Sequence, residues 1–173
     1  MKKEYILQTW ENNPILRHNS EIMNNVSSDV RIFCNNLLKI MWENGWVGLA
    51  APQLGKNRRI IATSQWAKRW DKDRLISETI MINPVIVDKS KEMIVREEAC
   101  LSLPNTFGNV KRHKIVTVEF IDIKWIKQKK KYKDLNAVII QHETDHLDWI
   151  LFIDKLVASK TTKKRVGRWK LWN

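Results

Sequence analysis

Two histidines four residues apart bracket a glutamate in the run His142-Glu143-Thr144-Asp145-His146. On a helix, positions i and i+4 project side by side. Two imidazoles so placed can hold one metal ion while the Glu between them works as a general base. A five-residue pattern can arise by chance, but the chain has only 4 His, and two of them fall here. A catalytic metal site needs a third protein ligand and an open position. One class of zinc protease places a His six residues beyond the second His, with a Gly between; here Trp149 and Phe152 stand at those positions. A second class uses a later Glu, and no Glu follows Glu143. The third donor therefore lies upstream, with Cys100, His113 and several acids as candidates. Cys100 sits in Glu98-Ala99-Cys100-Leu101-Ser102-Leu103-Pro104. Its thiolate suits zinc or ferrous iron, although a free Cys is often no more than a small buried apolar residue.

The histidines need a helix. Leu135, Val138 and Ile139 form an apolar stripe that His142 and His146 continue, so the spacing predicts a helix over 134–148, capped by Asp134, with both imidazoles pointing inward. An earlier helix is expected to start at Ser27, Ser28 and Asp29 and to stop at Asn44-Gly45. Its buried face is Val30, Phe33, Cys34, Leu37, Leu38 and Met41, which makes Cys34 a core residue. Strands are expected over 59–63, over 79–88 with an interruption at Asn83-Pro84, and over 115–125, where Val116, Val118 and Phe120 alternate with polar residues. Helix, strands and a late helix make an α+β domain.

The chain has 173 residues, which fits one domain. With 43% apolar residues it can build a core, so general disorder is excluded. No apolar run approaches the length of a membrane span, and the start of the chain lacks a signal-peptide core, which points to a cytoplasmic protein with no membrane partner. Two cysteines cannot build a disulfide framework, and no dinucleotide or phosphate-loop fingerprint is present. The net charge of +12 is concentrated in two places. Residues 124–133 and 159–173 each hold 6 basic residues and no acid, and the rest of the chain balances at 19 against 19. The first cluster reads as a turn or hairpin. The second is a tail in which Trp169 and Trp172 interleave with Arg168 and Lys170, a composition suited to docking on RNA or another polyanion. Residues 1–158 are thus expected to form the catalytic unit and 159–173 a basic appendage.

Three separated segments together resemble the peptide deformylases, and they come in that family's order. They are Gly48-Leu49-Ala50-Ala51-Pro52-Gln53-Leu54-Gly55, Glu98-Ala99-Cys100-Leu101-Ser102, and Gln141-His142-Glu143-Thr144-Asp145-His146-Leu147. Pro14-Ile15-Leu16-Arg17 and Ile82-Asn83-Pro84 are lesser echoes. The resemblance implies a fold of mixed or antiparallel sheets around a central metal-binding helix. It implies removal of the formyl group from the N-terminal methionine of nascent chains, with release of formate. It also implies Cys100, His142 and His146 as ligands of one divalent ion, Fe2+ first, with Zn2+ or Ni2+ also able to occupy the site, and a water in the fourth position.

By the same resemblance Glu143 is the base, and the Leu101 backbone N–H and the Gln53 amide face the oxyanion. Val47 and Gly48 would pair their backbone with the extended formyl-methionyl peptide. A deformylase also meets nascent chains at the ribosome, which gives the basic tail a partner in ribosomal RNA. The family usually has Gly where this chain has Trp46, Ala99 and Trp149. Trp46 is expected to narrow or reshape the way to the substrate strand, and Trp149 to alter packing beneath the metal helix. The alternatives are a divergent deformylase-like metalloprotein with another substrate or little activity, and a ribosome-associated binding protein.

Overall fold

The computed structural model describes residues 5–69 and 72–157, without the side chains of 66–76. The tail 159–173 therefore lies outside the described residues. The chain runs through α1 (Ser28–Glu43), β1 (Gly48–Ala50), a 3-10 turn (Ala51–Leu54), β2 (Ile60–Arg69) and β3 (Lys72–Lys89). It continues through β4 (Met93–Cys100), β5 (Leu103–His113), β6 (Ile115–Ile121), β7 (Lys127–Lys133), α2 (Asp134–Leu147) and a second 3-10 turn (Phe152–Lys155). The larger sheet has the order β1-β2-β3-β6-β7; β4 and β5 pair separately. All the named strand pairs are antiparallel.

Strand alternation explains why the larger sheet has a helix on each face. Ile60 pairs with Ile82 and Ala62 with Ile80, while Ile61 pairs with Met81. The first four side chains join Val30, Phe33, Cys34, Leu37 and Met41 of α1 in one apolar layer. Ile61 and Met81 turn the other way, with Val116, Val118, Phe120 and Tyr132, onto Ala137, Ile140 and Leu147 of α2. Two opposite-facing sets on the same strands are what a period of two requires when both faces are covered. A third small core holds Leu16, Cys100, Leu103, Val110, Leu151 and Phe152. It packs the β4–β5 hairpin near the end of α2. Ten of the 14 residues of α2 are buried, so this helix is central, as the resemblance implies.

Most expected elements are present. Ser27 caps α1, its hydroxyl accepting from the Val30 N–H, and Gly45 follows the helix at φ +70. Burial pushes the Cys34 thiol up to about 11, the state of a core residue. The basic run 124–133 is a hairpin tip followed by edge strand β7. Lys127, Lys129, Lys131 and Lys133 are exposed, while Tyr132 turns into the core. Several expectations need correction. The strand expected over 115–125 ends at Ile121, and the one expected over 79–88 begins at Lys72. Asp134 is the first residue of α2, at φ +51, and Lys133 holds the cap position without a side-chain bond. Strand β2 extends well past Thr63. The segment 93–113, to which the sequence assigned no element, forms the β4–β5 hairpin.

The interruption at Asn83-Pro84 is a bulge. The register of β3 against β6 shifts between Ile82 and Val85, and Asn83 stands at φ +50. Its amide both donates to the Met23 carbonyl (2.7 Å) and accepts from the Met23 N–H (2.8 Å). Asparagine tolerates this backbone region because its side chain can satisfy such bonds. Asn83→Ala loses both bonds and keeps the strain. Its stability to urea should fall by about 2 kcal/mol; an unchanged unfolding midpoint would show that the clip is dispensable.

Candidate metal centre

The 3-10 turn after β1, the end of β4 and the inner face of α2 converge. Cys100, His142 and His146 are buried, and one donor atom from each lies within 4.8 Å of the others. The Cys100 sulfur is 3.2 Å from His146 Nε2. Cys100 faces Leu103 across the two-residue turn Leu101-Ser102 that joins β4 to β5, with a bulge at Ala99/Cys100. The turn thus presents the sulfur at the end of the hairpin, against α2.

Glu98 sets the orientation of His142. Its Oε2 lies 2.8 Å from His142 Nδ1. An ionised carboxylate can only accept, so Nδ1 carries the hydrogen and Nε2 keeps its lone pair for the cluster. Glu98 is itself held by a forked pair of bonds from Arg112, Nε to Oε1 at 2.7 Å and Nη2 to Oε2 at 2.8 Å. Burial alone would raise the Glu98 carboxyl. The bonds from Arg112 and His142 outweigh it and hold the group down at about 2. Arg112 also bonds Asp145, whose carboxylate takes Lys155 Nζ at 2.7 and 2.8 Å. Gln141 ties the same helix to the end of β5, exchanging bonds with the His113 N–H (3.0 Å) and carbonyl (2.8 Å).

Glu143 is 5% exposed, and its Oε2 finds no partner among the described residues. Burial raises its carboxyl to about 7, the poise of a general base. Gly48 makes room for it: a Cβ on Gly48 would stand 2.3 Å from Glu143 Oε1. Gln53 is fixed by its oxygen, which accepts the Ala50 N–H at 2.8 Å. Its NH2 therefore faces inward, 3.4 Å from the Cys100 sulfur and 3.1 Å from Ser102 Oγ.

The expected residues Val47, Gly48, Gln53, Cys100, Leu101, His142 and Glu143 line one cleft, with apolar walls from Trp46, Val138 and Ile139. His146 does not line the cleft; it reaches the site through its Nε2, beside the Cys100 sulfur. The strand-pairing expectation splits. The Val47 carbonyl already accepts from the Ser64 N–H (2.8 Å) and hydroxyl (3.0 Å). Backbone direction alternates along a strand, so Gly48, one residue on, is directed to the free edge of β1. The N–H of Ala50 also leaves the sheet, towards Gln53. Of the three positions where Gly is usual in the resembling family, only Trp149 has left-handed backbone, at φ +57. It is 52% exposed, so it does not pack beneath the helix as expected.

The sequence missed Glu98, Arg112 and Asp145 as positioning residues. Asp145 had a signal, standing three residues past His142 on the same helix. Arg112 had none.

A soft thiolate, two imidazoles and an unpartnered buried carboxylate oxygen suit a divalent ion with an open position. The His146 Nδ1 is also buried without a partner among the described residues.

Comparison with known proteins gives a consistent picture. The family model described as polypeptide deformylase matches residues 6–162. A peptide deformylase of Rhizobium meliloti is 34% identical over 147 residues, 85% of this chain and 82% of the relative. A peptide deformylase of Plasmodium falciparum of solved structure is 34% identical with a TM-score of 0.77, covering 88% of this chain and 87% of that one. The Met-Ala-Ser-bound class I type b peptide deformylase of Acinetobacter baumannii is 29% identical with a TM-score of 0.81, covering 90% and 100%.

Glu98→Gln removes the charge between Arg112 and His142 and leaves a buried guanidinium short of a partner. Its zinc affinity, measured by chelator competition, should fall about tenfold or more, and its stability by about 3 kcal/mol. Wild-type affinity in the variant would detach Glu98 from the centre.

Proposed function

The chain belongs to the peptide deformylase family, and from that premise we propose which of its residues carry the reaction. It is a hydrolase that removes the N-formyl group from nascent polypeptides, in a family that is metal-dependent and acts on formyl-methionyl peptides. In the proposed assignment Cys100, His142 and His146 would hold the ion, Fe2+ by preference, with Zn2+ or Ni2+ as substitutes. A bound dication would polarise the formyl oxygen and ease ionisation of a water. The remaining work belongs to side chains and backbone. Glu143 accepts the proton of the attacking water at its unpartnered Oε2 and returns it to the leaving amine. Gln53 turns its NH2 towards the developing oxyanion, because its oxygen is committed to Ala50, and the Leu101 N–H is the second donor. The free edge of Gly48 pairs with the extended peptide; Val47 contributes a cleft wall. The methionine side chain meets Val138 and Ile139.

One observation supports this reading most strongly. The carboxylate of Glu143 is buried with an oxygen unpartnered among the described residues, in space that Gly48 leaves by having no side chain, beside a Cys/His/His cluster. A folded protein has little reason to bury an open acceptor there unless a proton passes through it.

Residues 1–158 form the catalytic unit in this proposal, and 159–173 a cytoplasmic enzyme's contact with ribosomal RNA. The exposed lysines of β7 add to that positive surface. No helix among the described residues is long and apolar enough to cross a membrane.

Protein loaded anaerobically with Fe2+ should release formate from formyl-Met-Ala-Ser; a fully loaded, inert protein would instead favour a divergent metalloprotein. Glu143→Gln should keep its metal and lose about 100-fold or more in turnover, whereas Cys100→Ala should lose metal by elemental analysis. Deleting 159–173 should weaken ribosome cosedimentation and flatten its salt dependence; unchanged cosedimentation would remove the tail from the contact.

A further inference from the structure

The enclosed part of the cleft over Glu143 is small, about 20 Å³, and the cleft opens to solvent. A side chain that enters it meets walls that differ in how firmly they are held. Most walls are pinned. Gln53 is bonded at both ends of its amide, and Glu98 and His142 are locked to Arg112 and to each other. Val138 and Ile139 belong to the buried helix α2. The Val47 carbonyl is bonded twice by Ser64. Leu101 sits in a two-residue turn closed by the pairing of Cys100 with Leu103.

Trp46 is different. It stands between the end of α1 and the start of β1, outside both elements. Among the described residues its backbone is anchored on the helix side, the N–H donating to the Met41 carbonyl at 3.0 Å. Gly45 precedes it at φ +70, with open space where a Cβ would be. The indole is half-buried, packed against the apolar layer of α1 on one side and bordering the cleft on the other.

We propose that the Trp46 indole is the movable wall of the pocket for the substrate's first side chain, and that it selects which side chain enters. The proposal rests on the deformylase reading for the identity of that side chain. An unbranched thioether has rotatable bonds enough to thread past a partly displaced indole, and its sulfur makes a favourable contact with the ring edge. A rigid ring such as phenylalanine's needs the indole to leave fully, which breaks its packing against α1. Selectivity then comes from what the wall loses in moving, in addition to the fit of the final pocket.

The test compares formyl-Met-Ala-Ser with formyl-Phe-Ala-Ser on the metal-loaded protein. In Trp46→Gly the ratio of their kcat/KM values should fall by about tenfold or more, with an intermediate fall in Trp46→Leu. The second variant keeps apolar bulk against α1 and serves if the first does not fold, which thermal unfolding will show. Calorimetric binding of Met-Ala-Ser and Phe-Ala-Ser should lose its preference in parallel, without any turnover. Unchanged ratios and unchanged preference in a folded variant would overturn the role of Trp46. If the wild-type protein releases no formate from either peptide, the deformylase reading fails, and the calorimetric comparison still decides the question of the wall.

Discussion

A carboxylate that is 1% exposed and a guanidinium that is 2% exposed lie together beneath the metal centre, and the arrangement above them depends on that pair. Alone, either charge would be prohibitively costly to bury. Together Glu98 and Arg112 satisfy each other through two parallel bonds, and each has bonding capacity left over. Glu98 uses its remainder to fix one tautomer of His142. Arg112 uses its remainder on Asp145, one turn further along the same helix. The β4–β5 hairpin and α2 are thereby held in register at the place where one supplies Cys100 and the other two histidines. Burying a pair of this kind contributes little to stability by itself. What it provides is orientation, since the bonds of Glu98 to His142 and of Arg112 to Asp145 tie the hairpin to the helix at fixed points.

The candidate ligands were readable in the sequence because they obey local rules. His142 and His146 continue an apolar stripe at helical spacing, and Cys100 belongs to a run that matches a family motif. The layered fold was readable in part for the same reason: the stripe of α1 and the alternation in β6 both belong to elements that bury one face. Glu98 and Arg112 were not readable in that way. They are 14 residues apart on paired strands, and the register sets Glu98 opposite Gly108 and Arg112 opposite Ile94, so the pair is made by reach of the side chains and not by cross-strand neighbours. The hairpin was itself invisible, because its exposed positions mix charged residues with apolar ones such as Val95. The capping expectation for Asp134 failed because the chain enters α2 straight from a strand, with the Asp134 N–H taken by the Lys114 carbonyl.

The three positions at which this chain departs from the usual glycine turn out to be unlike one another. Trp149 accepts left-handed backbone with a bulky side chain, which costs roughly 1–2 kcal/mol. Arg17 donates to its carbonyl at 3.1 Å while also bonding Asp154 (3.0 Å to Oδ1), so a polar clip holds the strained turn. Ala99 adds a methyl to the cleft wall and carries no backbone strain. Trp46 is free of strain as well. At Gly48, where the chain keeps its glycine, the reason is crowding by Glu143 rather than backbone angle.

The two edges of the larger sheet are treated oppositely. The β7 edge carries a row of lysines, and two such edges brought together would repel along their length, a common guard against edge-to-edge pairing. The β1 edge has no such guard, but it is only three residues long, and the outward N–H of Ala50 is already taken by Gln53. A partner strand finds there roughly one residue's worth of backbone and then the wall of the cleft. At the β1 edge copies of the protein therefore find little backbone on which to pair, yet that edge leaves a short landing for the end of an extended chain. Because that landing consists of main-chain atoms, it takes no account of which side chains follow.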